Sequence, residues 1–72
     1  MDSDLCELIV EAQASFYGND IDRRPSFIGI SPDREAVIMS YDIGQMPVGW
    51  WVGCGCREPD VIIKHLNNEK ED

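Results

Sequence analysis

Apolar residues recur along the first quarter of the chain with helical spacing. Leu5, Leu8, Ile9, Ala12 and Phe16 share one face at about 100° per residue, and Cys6, Val10 and Tyr17 widen it. This pattern predicts a helix from about Asp4 to Tyr17. Ser3 or Asp4 can cap it, and Asp4 with Glu7 has the spacing of a capping box. Gly18-Asn19-Asp20 supplies a left-handed stop and a turn.

Beyond this turn the period shortens to that of strands. Ser26 to Ile30 reads as a strand, Ser31-Pro32-Asp33-Arg34 as a turn with proline at its second position, and Ala36 to Tyr41 as the returning strand of a hairpin. Gly44, Pro47 and Gly49 make Asp42 to Gly49 a loop. Trp50 to Cys56 alternates as a third strand, with Trp50, Val52, Cys54 and Cys56 on one side and Trp51 on the other, beside Gly53 and Gly55. Glu58-Pro59-Asp60 opens a second helix that runs to about Asn68 with Ile62, Ile63 and Leu66 as its apolar stripe. Residues 68–72 form a polar tail expected to fray.

The predicted order is α-β-β-β-α. The economical way to bury two amphipathic helices and a half-apolar sheet is an α+β domain: one three-stranded antiparallel sheet with both helices packed on one face and the other face partly exposed. Seventy-two residues allow one core, so residues 1–72 are read as a single domain. Apolar residues make up 43% of the chain, too many for a disordered acidic tail. No apolar run reaches the roughly 20 residues that cross a bilayer, and Asp2 and Asp4 oppose a signal peptide, which predicts a cytoplasmic protein.

Charge changes this picture most. Fourteen Asp and Glu against six Lys and Arg leave a net charge of −8. Such a field repels nucleic acid and anionic membranes and draws in basic surfaces, so the expected partner is a basic nucleic-acid-binding protein, with no direct nucleic-acid or membrane contact. The acids differ in what surrounds them. Asp4, Glu7 and Glu11 gather on one side of the first helix, which carries no Lys or Arg. Glu7 and Glu11 are like charges four residues apart, an arrangement that costs a helix a few tenths of a kcal/mol. Asp20 and Asp22 sit in the following connection and are partly balanced by Arg23 and Arg24. A carboxylate row on a rigid helix can stand in for phosphates, because an Arg fork grips both in the same bidentate geometry. Capping and solubility are the blander uses of such acids. Asp4, Glu7, Glu11, Asp20 and Asp22 are therefore the charged candidates for partner binding, and Tyr41, Met46 and Trp51 the candidates for an apolar contact centre inside an acidic rim.

Chemistry has fewer footholds. Cys54-Gly55-Cys56 with Cys6 and His65 gives four potential zinc ligands, and hence an alternative reading as a small zinc-stabilised adaptor domain. A C-x-C pair on an extended strand only projects in parallel, however, where zinc sites use spacings that turn the chain back on the ion. Three thiols cannot all pair within one chain, so the expectation is free cysteines packed as small hydrophobes, with no metal and no cofactor. His65 is the single histidine and no motif sets a nucleophile beside it, which argues against an enzyme.

In size, acidity, compactness and lack of catalytic motifs, the chain resembles the small phage-encoded inhibitors of bacterial defence, above all the anti-CRISPR proteins. The resemblance is one of class over the whole chain and carries no motif. It implies a viral protein acting in the host cytoplasm, a DNA mimic that blocks target-DNA or protospacer-adjacent-motif recognition by a CRISPR effector complex of the Cascade type. An immunity protein or antitoxin neutralising a basic toxin is the alternative from another class.

Overall fold

The computed structural model describes residues 2–18 and 23–70 and has the expected α-β-β-β-α order. α1 spans Asp2–Tyr17, β1 Phe27–Ile30, β2 Val37–Ser40, β3 Trp51–Cys54 and α2 Pro59–Lys70. Gly18 ends α1 in the left-handed region, at φ 60°, and its N–H donates to the Ala14 carbonyl at 2.7 Å. α2 continues to Lys70, so part of the tail expected to fray is helical, while Glu71 and Asp72 lie outside the described residues.

The sheet order is β2-β1-β3, with β1 antiparallel to both neighbours. Ile28 lies between Met39 and Gly53, and Ile30 between Val37 and Trp51. Because side chains alternate along a strand, these residues share the face that both helices cover. Ile28 and Ile30 meet Leu5 and Ile9 of α1 and Ile62, Ile63 and Leu66 of α2 in the core, with Val37, Met39 and Trp51 packed at its margin. α1 lies against β2 and α2, and α2 against β3.

The buried stripe of α1 is narrower than its sequence suggests. Leu5, Ile9 and Gln13, at successive i, i+4 positions, point inward, whereas Val10 is 48% exposed and Phe16 38%. An apolar arc wider than the groove between sheet and α2 cannot be covered in full, and its flanks stay wet.

The β1–β2 turn is organised by Ser31. Its hydroxyl donates to the Asp33 carboxylate at 2.7 Å and accepts from the N–H groups of Glu35 and Ala36 at 3.1 and 2.9 Å. Within this turn Arg34 takes a left-handed φ of 62°, its N–H donating to the Ser31 carbonyl at 2.9 Å.

The β2–β3 connection decides what happens on the other face. β2 and β3 both run antiparallel to β1 and so are parallel to each other. β2 ends opposite Phe27 and β3 begins opposite Ile30. Residues 41–50 therefore run back along the sheet and across β1. They pass over Gly29, where a Cβ would stand 2.7 Å from Met46 Sδ and 3.6 Å from the Trp50 ring. The absence of a side chain at Gly29 lets the connection lie flat on the sheet. Asp42 starts it with a short 3-10 turn over Ile43–Gln45, its carboxylate accepting from the Gly44 N–H at 2.9 Å.

No helix among the described residues is long and apolar enough to cross a membrane.

Candidate functional site

Asp4, Glu7 and Glu11 are all exposed. Their helical angles place them opposite Leu5, Ile9 and Gln13, so the row looks directly away from the sheet. Along the helix axis the three are separated by about 4.5 and 6 Å. None of the ion pairs among the described residues involves them. Asp20 and Asp22 lie outside the described residues. Arg24, which follows them, is committed elsewhere: its guanidinium sits 5.9 Å from the Tyr17 ring centroid, 3.8 Å from the Glu58 carboxylate and 3.0 Å from the Cys56 carbonyl.

The apolar centre of Tyr41, Met46 and Trp51 does not assemble. Trp51 is on the helix-covered face, folded over Gly53 and edge-to-face with His65 at 6.0 Å. Tyr41 packs edge-to-face on Phe16 at 5.2 Å, and its hydroxyl donates to the Arg23 carbonyl. Met46 is on the opposite face with Trp50. The apolar side chains on that side are instead Trp50, Met46, Ile38 and Val52, the last two flanking Gly29 and 37% and 38% exposed. Alternation separates the two tryptophans but does not say which one faces the helices. The signal in the sequence was Gly29, a side-chain gap in the middle of an apolar strand.

The cysteines depart furthest from expectation. Cys6 is half-buried against the core, but Cys54 and Cys56 are exposed, with their sulfurs 2.7 Å apart. Among the described residues no three His, Cys, Asp or Glu side chains come together as a metal site requires, so Cys6, Cys54, Cys56 and His65 do not form a ligand set. The Cys54 thiol is more acidic than usual, first through the hydrogen bond with the Cys56 thiol, then through the Cys56 backbone N–H and the Arg57 guanidinium. The same bond makes the Cys56 thiol less acidic.

Gln13 is the residue that sequence reasoning missed. It lies almost fully buried, and its amide nitrogen donates to the carbonyls of Gly55 at 3.0 Å and Arg57 at 2.9 Å. A buried amide holds its place only when paired, and here the pairing fixes the turn that carries both thiols.

Compared with protein families, curated proteins and solved structures, the chain matches none. The functional reading therefore rests on its own residues.

Proposed function

We propose that this protein acts by occupying a basic surface on a partner protein, of the kind that grips nucleic acid, and that the α1 row of Asp4, Glu7 and Glu11 is its contact. The observation that carries this reading is the exposure of three like charges on one rigid helix that bears no cation. Their mutual repulsion slightly weakens the helix, and a partner's Lys or Arg residues relieve it. In its narrower form the partner is a CRISPR effector complex and the outcome is stoichiometric block of target-DNA recognition.

Magnitudes limit the mimicry. Duplex DNA carries about one charge per 1.7 Å of axis, or about six over the ~10 Å that the row covers, against three here. The row replaces about half the local charge and releases no condensed counterions, so affinity falls less steeply with salt than DNA affinity does for the same partner.

Affinity capture from a bacterial lysate at about 50 and about 200 mM salt, with wild type and the Glu7→Lys/Glu11→Lys variant side by side, tests the proposal. The expected result is a nucleic-acid-binding protein or complex held by wild type, weakened by salt, and at least about tenfold weaker on the variant at unchanged helix content. Equal retention by the two proteins removes α1 as the contact surface. A retained toxin in place of an effector complex would move the protein to the immunity class.

A further inference from the structure

The Cys54-Gly55-Cys56-Arg57 turn is held from three sides by groups that touch only its backbone. The Gly55 N–H donates to the Ser26 carbonyl at 3.1 Å, Gln13 bridges the Gly55 and Arg57 carbonyls, and Arg24 donates to the Cys56 carbonyl at 3.0 Å. Gly55 fits where a Cβ would stand 2.9 Å from the Phe27 backbone. Both thiols are left exposed and in contact, 2.7 Å apart. Cysteines that serve only as small hydrophobes are buried, and these are not.

We propose that Cys54 and Cys56 form a redox-active dithiol that exchanges with small-molecule disulfides and closes reversibly into an intramolecular disulfide. Cys54, the more acidic of the two and next to Arg57, is the attacking thiolate. Its Sγ bonds to one sulfur of the incoming disulfide, and the other sulfur leaves as a thiolate that takes up the proton Cys54 has lost. Cys56 then gives up its proton and attacks Cys54 Sγ. The Cys54–Cys56 bond forms, and the second small thiolate leaves and is protonated. Two protein thiols are oxidised and one disulfide is reduced to two thiols, so electrons and protons balance. Beside Cys54, a hollow of about 180 Å³ that Trp51, Arg57 and His65 also line gives the small disulfide a surface to lie against. A ring closed across one residue is strained, which places it among the readily reduced disulfides.

The test uses the full chain and 2-hydroxyethyl disulfide, an uncharged reagent that the protein's net charge does not repel. Mass spectrometry is run before and after alkylation. The expected product is a monomer lighter by about 2 Da, with the bond mapped to Cys54–Cys56 and fully reversed by dithiothreitol. Cys56→Ser stalls as a stable mixed disulfide on Cys54, Cys54→Ser reacts at least about tenfold more slowly, and Cys6→Ser behaves as wild type. Circular dichroism confirms that each variant is folded. A wild-type protein that accumulates the mixed disulfide, joins either cysteine to Cys6, or closes no faster than the same chain in urea overturns the proposal.

Discussion

Gly29 and Gly55 are both buried, and what a methyl group would strike separates them. At Gly55 it meets the Phe27 carbonyl carbon and oxygen at 2.9 Å, backbone that cannot move without breaking the β1–β3 ladder. At Gly29 it meets the sulfur of Met46, part of a flexible side chain that can swing aside. Urea denaturation should show Gly55→Ala costing about 2 kcal/mol or more and Gly29→Ala less than about 1.5 kcal/mol. The reverse order would mean that the 41–50 connection is the more rigid neighbour. Asp33 offers a pH test at the same scale. The Ser31 hydroxyl, and then the Glu35 N–H, hold its carboxyl below the usual value. Its stabilising effect is therefore complete above the pKa of the unfolded chain and is lost as pH falls through the lower folded value. The melting-temperature gap between wild type and Asp33→Ala should narrow on acidification through that range. A constant gap would remove the carboxylate from the account.

At the scale of elements, periodicity made both helices, the hairpin and the third strand legible, because burial of one face is what the spacing records. It failed where a polar residue was buried for a partner far along the chain. Gln13 interrupts the apolar face of α1, and its acceptors are 42 and 44 residues away, beyond any local pattern. The acidic row was legible because it depends on helical angle alone. The apolar centre was not, since the path of residues 41–50 over the sheet decides which tryptophan is covered. Gln13→Leu keeps the volume but leaves carbonyls without their donor. It should lower stability by about 1–3 kcal/mol and slow closure of Cys54 with Cys56, read in urea and with 2-hydroxyethyl disulfide respectively. Unchanged closure in a destabilised variant would show that Ser26 and Arg24 hold the turn without it.

Taken whole, the molecule is two layers with unlike outer surfaces, carboxylates on the outside of α1 and Trp50, Met46, Ile38 and Val52 on the outside of the sheet. One flat partner surface cannot touch both. Binding through α1 should therefore raise amide protection around residues 4–18 and leave residues 41–52 as they are in the free protein, a contrast that hydrogen exchange reads directly. Protection confined to 41–52 would hand the contact to the sheet.

The tie between Gln13 and the turn after β3 also sets an order of events in the making of the protein. α1 leaves the ribosome before the turn does, and its Gln13 amide waits for carbonyls that emerge more than forty residues later. Until then the Cys54 and Cys56 backbone lacks the Gln13 bridge, one of its three holds, and closing so long a loop comes late because its entropy must be met first. The reactivity of the two thiols is thus a property of the finished fold, and its appearance on a growing or refolding chain would time the last step of assembly.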